Sequence, residues 1–143
     1  MKLGEALSNR KDLLTQANNL VGRATSCVLV EKGEAVEENP LEYMGKVKEL
    51  LTKYEELSVL INKANNDHGI MEMTATRDTY RNMAQHYRTI AQAGQRISRY
   101  GRDEIVFVPS FDVKEALKLA DDYAAAARRL DVQIQETDWT VEI

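Results

Sequence analysis

The chain has 143 residues, of which 43% are hydrophobic and 29% charged, with only seven Gly and two Pro. This length is sufficient for one domain with a real core, and the composition excludes a disordered chain and is typical of a helical protein. The net charge of -4 is unevenly placed: residues 31–56 hold eight Glu against four Lys, whereas residues 77–102 hold six Arg and one acid. We expect these two segments to face each other in the folded protein or in an oligomer.

The N-terminal segment and the cysteine content bear on where the protein works. Lys2, Glu5 and Arg10 leave no uninterrupted apolar region of the kind a signal peptide needs. The longest uncharged run, residues 13–22, is half polar, whereas a membrane helix needs about 20 mostly apolar residues. Cys27 is the single cysteine, so an intramolecular disulfide is excluded. These features predict a cytoplasmic protein without a transmembrane segment.

Apolar residues recur at spacings of three and four in two segments of the first half. The first segment predicts a helix over residues 2–25, with a seam formed by Leu3, Leu7, Leu14, Ala17, Val21, Ala24 and Val28. Asn39 followed by Pro40 is a start signal for a second helix over residues 40–66. Its seam contains Met44, Val47, Leu51, Tyr54, Leu57, Ile61 and Ala64. We expect it to end in a turn where Gly69 adopts a positive φ.

The second half repeats the pattern. Thr74 is the expected cap of a third helix that ends at Gly101, with Thr76, Tyr80, Met83, Tyr87, Ile90, Gly94 and Ile97 on one stripe. Asp112 followed by Glu115 matches a capping box and starts a fourth helix over residues 112–136. Its seam contains Val113, Leu117, Ala120, Ala124, Ala127, Leu130 and Ile134.

The predicted fold is a single mainly α domain over residues 1–143, with four long helices in an elongated antiparallel bundle or helical hairpins. Two β-rich pieces, about residues 27–31 and 104–108, predict a short β-ribbon between the helices, and residues 139–143 are a candidate third strand. Several apolar residues lie outside the seams and need a second surface to cover them. We therefore expect a homo-oligomer resembling a coiled coil in its seams.

No motif in the chain predicts an active site. Neither His68 nor His86 has a Glu three residues before it, as a di-iron bundle would require. Two His and one Cys in separate segments do not predict a zinc site, and no nucleophile motif or Gly-rich phosphate loop is present. The sequence predicts a non-enzymatic protein without metal or cofactor.

The arginines of the third helix are the feature with the strongest potential to bind a partner. The candidate ligand or subunit contacts are Arg77, Asp78, Arg81, Arg88, Arg96, Arg99 and Arg102. Tyr80, Tyr87 and Tyr100 interleave with them, a pattern that allows phosphate contacts and base stacking and so favours nucleic acid or a phosphorylated ligand. The low pI of 5.3 and the acidic segment favour ion pairs within or between subunits instead. Both interpretations stay open, and ion pairing is the stronger.

A polar cluster marks the predicted turn between the second and third helices. Asn62 and Asn65 end a helix that is otherwise made of good helix formers, and Arg77 and Asp78 follow one turn later. In an antiparallel hairpin these residues meet, so hydrogen bonds between them would fix the turn. We interpret the cluster as structural.

Four local patterns carry a family resemblance: MKLGEAL at the start, INKAN followed by RD in the middle, EIVFVPSFDV, and IQETDW near the end. Together they resemble the septicolysin-like family of small conserved bacterial proteins. The resemblance implies an all-helical, oligomeric protein, and it carries over no catalytic residues. Its label also implies pore formation, for which the short strands and narrow, Ala-rich helix seams give little support.

Overall fold

Four helices make up the protein in its computed structural model, which describes residues 1–95 and 106–143. They are α1 (Leu3–Ser26), α2 (Pro40–Asp67), α3 (Ile70–Gly94) and α4 (Val113–Thr140). The chain divides into two compact units: unit 1 comprises Met1–His68 and Thr137–Ile143, and unit 2 comprises Gly69–Glu136. The mainly α architecture of four long helices in hairpins is confirmed. That the chain forms a single domain over residues 1–143 stays a prediction, because a division into compact units does not test it.

The helix starts follow the predicted capping signals in two cases. The Asn39 side chain accepts a hydrogen bond from the Leu41 backbone N–H at 2.9 Å, with Pro40 as the first helical residue. At the start of α4, Asp112 Oδ1 accepts from the backbone N–H groups of Lys114 and Glu115, at 3.0 and 3.3 Å. Each cap satisfies donors that the first turn of a helix leaves without partners.

The start of α3 and the end of α4 differ from the sequence prediction. Gly69 has a φ of 69°, as expected, but α3 begins at once with Ile70 instead of after Thr74. Ile70 is buried, and this burial holds the first turn in place. At the other end, α4 continues to Thr140, because Ile134 and Val141 are both buried and continue its apolar face.

The expected β-ribbon is not formed by the described residues. Residues 27–31 leave α1 as a turn and irregular chain, and residues 106–108 are irregular. Residues 104 and 105 lie outside the described part, as does Gly101. An isolated two-stranded ribbon is marginal in water, and Val28, Val30, Val106 and Val108 are exposed. In residues 139–143 the described pairing is one antiparallel bridge, between Lys2 and Glu142.

Alanine is the commonest buried residue in both units. Among the described residues, nine of the fifteen buried apolar residues are Ala: Ala6, Ala17, Ala24, Ala64, Ala84, Ala91, Ala116, Ala120 and Ala127. Leu3 and Ile61 are the largest side chains that are fully buried. In each helix the buried positions follow spacings of three and four, so one narrow seam faces the partner helix.

The seams predicted from the sequence are therefore shifted. Leu14 and Val21 of α1, and Met44 and Leu51 of α2, were expected in the seam but are exposed. Ala6 in α1 is buried in their place, beside the correctly expected Leu3, Ala17 and Ala24. Small side chains allow a closer helix approach, and the alanines share the seam with Leu3, Val47 and Ile61 while the exposed residues lie beside it.

In unit 1, the two ends of the chain lie side by side. The Leu3 N–H donates to the Val141 carbonyl at 2.9 Å, and the Ile143 N–H donates to the Met1 carbonyl at 3.0 Å. Glu142 accepts from Lys2 Nζ at 2.7 Å and from the terminal ammonium at 3.0 Å. These hydrogen bonds lower the pKa of Glu142, so the stability they provide is present at neutral pH and is lost as pH falls through that lowered pKa.

Asp138 is the carboxylate in this region that opposes folding at neutral pH. Burial raises the pKa of Asp138 above its ordinary value of 3.8, and its charge lies near the C-terminus of α4, where a negative charge is unfavourable. The folded state therefore binds this proton more tightly, and stability falls as pH rises from the ordinary pKa through the raised one.

We expect Asp138→Asn to be more stable than the wild type at pH 7, with the difference vanishing below about pH 3.8, where the wild-type side chain is also neutral. Urea unfolding at several pH values measures this, with the exposed Glu136→Gln as the matched control. Equal stability of wild type and Asp138→Asn across the whole range would contradict the assignment.

Two glycines of α1 provide a test of local packing. A Cβ at Gly22 would meet open space, whereas a Cβ at Gly4 would lie 3.1 Å from the Trp139 ring and 3.2 Å from the Asp138 carbonyl oxygen. Gly22→Ala should stabilise the protein by about 0.5–1 kcal/mol through helix propensity. Gly4→Ala should lack this gain, because the Trp139 ring must shift. Thermal unfolding of both variants checks the difference, and equal gains would show that Trp139 does not pack on Gly4.

Candidate functional site

Unit 1 carries an apolar stripe on one side of the hairpin of α1 and α2. Its members are Leu7, Leu14, Val21, Met44 and Leu51; the last four are 40%, 40%, 44% and 40% exposed. Each directly follows a residue that is buried or half-buried: Ala6, Leu13, Leu20, Tyr43 and Leu50. Because α1 and α2 run in opposite directions, residues that follow the seam lie on the same side of the hairpin in both helices.

The opposite side of this hairpin confirms that geometry. Asn9 and Gln16 of α1 and Lys53 and Leu60 of α2 each precede a buried or half-buried residue, and all four line one open groove with Asp12, Leu13, Glu56 and Leu57. The groove joins the start of α1 to the end of α2, so the helices are antiparallel. This side of the hairpin is therefore mixed, with charged and amide side chains beside three leucines, whereas the stripe on the other side is apolar.

In unit 2, Arg77 connects α3 to α4. Its Nη1 lies 2.8 Å from Asp131 Oδ1, its Nε lies 3.2 Å from Asp78 Oδ1, and its side chain is 19% exposed. Burial acts to lower the pKa of Arg77, but hydrogen bonds to Asp131 and Asp78 raise it above its ordinary value, so the guanidinium stays charged. Arg81 reaches the same carboxylate, with Nη2 3.6 Å from Asp131 Oδ1. Arg77 and Arg81 thus form ion pairs with Asp78 and Asp131 of unit 2, and the expected pairing with the acidic segment of residues 31–56 stays a prediction.

An arginine groove lies beside this ion pair, between α3 and α4. Arg81, Arg88 and Arg128 surround a cavity of about 280 Å³ whose floor consists of Ala84, Ala124 and Ala127. Arg88 is half-buried, and Arg81 and Arg128 are exposed. Three guanidinium groups from two helices thus converge on one small cavity.

The tyrosines expected to stack on bases pack within unit 2. The Tyr80 and Tyr87 rings lie 5.6 and 5.9 Å from the Tyr123 ring, and the second pair is stacked. All three side chains are half-buried. Their faces are used in packing α3 on α4, while Tyr100 lies outside the described residues.

The other predicted site residues are not brought to this groove by any described contact. Arg96, Arg99 and Arg102 lie outside the described residues. Asn62 is exposed and Asn65 is half-buried; both belong to unit 1. Their predicted hydrogen bonds to Arg77 and Asp78, which belong to unit 2, stay a prediction.

Two residues of α4 were missed by sequence reasoning. Asp131 holds Arg77 and Arg81, and Arg128 completes the groove. The available signal was the run of residues 128–131, which places both residues one turn apart on the same helix. The prediction from the sequence considered only the arginines of α3, so it did not include the residues of α4 that contact them.

Within residues 1–95 and 106–143, no three His, Cys, Asp or Glu residues are grouped as a metal site would require. None of the described helices is long and apolar enough to cross a membrane. The absence of metal and cofactor stays a prediction, as does the cytoplasmic location.

The fold and these two surfaces define a class: a mainly helical protein built from hairpins, with an apolar stripe on one and a cationic groove on the other. The chain belongs to a family of unknown function, DUF6847, whose profile matches residues 10–143. It is similar to a solved structure, that of a functionally unknown conserved protein from Corynebacterium diphtheriae, with 31% identity and a TM-score of 0.80 over 100% of this chain and 98% of that one. No curated protein matches.

This family assignment corrects the expected resemblance. Septicolysin-like membership was wrong, because the family profile and the solved structure both lead to proteins of unknown function. The four short patterns that carried the resemblance are weak individually, and they do not define that family. The pore-forming activity implied by the label has no remaining basis.

Removing the Asp131 carboxylate tests the ion pair. Asp131→Asn leaves Arg77, a largely buried cation, without its closest partner, which should lower the free energy of unfolding by about 1–3 kcal/mol. Asp121→Asn, at an exposed position of the same helix, is the control and should change it by less than about 0.5 kcal/mol. Urea denaturation measures both, and equal effects would show that Asp131 does not hold the hairpin together.

Proposed function

We propose that this protein is a non-enzymatic, self-associating helical protein whose apolar stripe binds the same stripe of a second copy. The observation that carries the proposal is the exposure of Leu14, Val21, Met44 and Leu51 on one side of a hairpin whose core is mostly alanine. A helix pair buries one seam only, so its remaining apolar side needs another layer.

The composition of the stripe favours a second copy as the occupant. None of its side chains is charged, so two identical stripes related by a two-fold axis meet without like-charge repulsion. If the stripe bound a protein of different chemistry, we would expect the stripe to contain a charged or polar residue that pairs with that protein. The groove on the other side of the hairpin carries Asp12, Lys53 and Glu56, so it lacks the uncharged surface that favours self-association through the stripe.

A charge placed in the stripe should separate the copies. We expect the wild type to have the mass of a dimer by light scattering, and Leu14→Glu to have the mass of a monomer, because the interface would bury an unpaired carboxylate. Gln16→Glu, on the other side of the same helix, should remain dimeric. Far-UV circular dichroism of both variants shows that the helices are retained.

A wild-type protein that is monomeric at micromolar concentrations would contradict the proposal and assign the stripe to a different occupant. A Leu14→Glu variant that is folded and still dimeric would show that the copies meet elsewhere.

A second candidate function is the binding of an anionic partner, either a nucleic acid or a phosphorylated ligand, through the arginines of α3. The convergence of Arg81, Arg88 and Arg128 on one cavity supports it. Retention on a heparin column at low salt, lost as salt rises, is the expected result. A protein that flows through at low salt would remove this candidate for extended polyanions.

A further inference from the structure

The arginine groove holds positive charge that is not neutralised by its surroundings. Among the described residues, Arg88 and Arg128 have no carboxylate within ion-pair distance. Arg81 shares the Asp131 carboxylate with Arg77, and its Nη1 lies 4.0 Å from Asp78 Oδ1. Because guanidinium groups do not lose their charge in proteins, the groove is cationic at every physiological pH.

The spacing of the arginines suits a small anion. Arg81 and Arg88 are seven residues apart, which is about 10.5 Å along α3, and Arg128 approaches from α4. The alanine floor lets a ligand approach the helix backbones closely and supplies no competing hydrogen-bond acceptor from a side chain. Guanidinium groups bind phosphoryl oxygens in a two-pronged geometry that a set of lysines cannot reproduce.

From this geometry we infer that the arginine groove binds the phosphoryl group of a compact phosphorylated molecule. Arg88 and Arg128 are its principal ligands, and Arg81, fixed by Asp131, closes one end of the site. The inference rests on the second candidate function above and assigns it a ligand class.

Two features disfavour an extended nucleic acid in the same groove. Asp131 lies at one end, bound to Arg77 and Arg81, and Asp121 lies seven residues before Arg128 on the same face of α4. A phosphodiester backbone continuing along the groove would approach these carboxylates. In addition, Tyr80 and Tyr87 are engaged with Tyr123 and present no free face for base stacking.

Isothermal titration calorimetry with O-phosphoserine tests the inference, with unphosphorylated serine as the ligand control. We expect binding of O-phosphoserine and none of serine. Arg88→Gln and Arg128→Gln should each weaken binding by about tenfold to a hundredfold, since each removes charge-assisted hydrogen bonds. Arg129→Gln, an exposed arginine next to Arg128 that does not line the cavity, should bind like the wild type.

The pH dependence separates a phosphoryl site from general attraction. Because a phosphate monoester loses its second proton at a pKa of about 6, binding should strengthen as pH rises from 5 to 7, while the arginines keep their charge. Circular dichroism of each variant shows that loss of binding does not reflect unfolding.

Three results would overturn the inference. The first is a folded wild-type protein that gives no binding heat with O-phosphoserine at millimolar concentrations. The second is equal binding by Arg128→Gln and Arg129→Gln. The third is binding of a fluorescent single-stranded oligonucleotide without binding of O-phosphoserine. That result would keep anion binding as the function but rule out a compact ligand. If neither molecule binds, the second candidate function is ruled out as well.

Discussion

The close approach of helices through alanine is the constraint on which the other features depend. With Ala at most buried positions, each described hairpin has a seam that is narrow and shallow, and burying a methyl group contributes less than burying a Leu or Ile side chain. Larger apolar residues such as Leu14 and Leu51 lie beside the seam, while Leu3 and Ile61 are buried in it. A helix pair of this kind is stabilised only in part by its own contacts, and further burial has to come from a second surface.

The apolar stripe and the arginine groove arise from the same arrangement in different units. In both hairpins the seam is narrow, so the residues next to it are partly exposed to solvent. The residue types at these positions determine what each surface can bind. In unit 1 these residues are Leu, Val and Met, and the side is suited to association. In unit 2 they include Arg81 and Arg88 on α3, and the same kind of side is suited to an anion.

The ion pair of Arg77 and Asp131 explains why these arginines converge instead of spreading apart. Arg77 occupies a position close to the seam, where an apolar residue would be expected, and its charge is accommodated by Asp131 across the hairpin. The carboxylate also holds Arg81, so one end of the groove is fixed. The pair is half-buried, with Arg77 19% and Asp131 32% exposed, and it joins α3 to α4 at one place along the hairpin.

Much of the fold follows from the sequence. The spacing of apolar residues and the signals at Asn39, Gly69 and Asp112 predict four helices, with the bounds of α1, α2 and α4 within about four residues; α3 begins four residues before the predicted cap Thr74 and ends at Gly94 instead of Gly101. The seam positions follow in part: Ala17, Ile61 and Ala127, for example, are buried as expected. A pattern that ranks residues by hydrophobicity also selects Leu14 and Leu51, and only the helix packing shows that these side chains are exposed.

The candidate site follows from the sequence even less. The arginines of α3 stand out as a charge cluster, but Asp131 and Arg128 belong to another helix, and their approach depends on the register of the hairpin. The expected β-ribbon failed for a related reason: residues 27–31 have high β-propensity, but no neighbouring strand pairs with them in the described part of the chain. Propensity specifies a strand only where a partner exists.

The central claim is that the apolar stripe is covered by a second copy, and the concentration dependence of thermal unfolding tests it most directly. A protein whose folded state is a dimer is stabilised by mass action, so its unfolding midpoint rises with protein concentration. We predict a rise of several degrees over a hundredfold increase in concentration, and no rise for Leu14→Glu. A wild-type midpoint that is independent of concentration, together with a monomeric mass, would contradict the account.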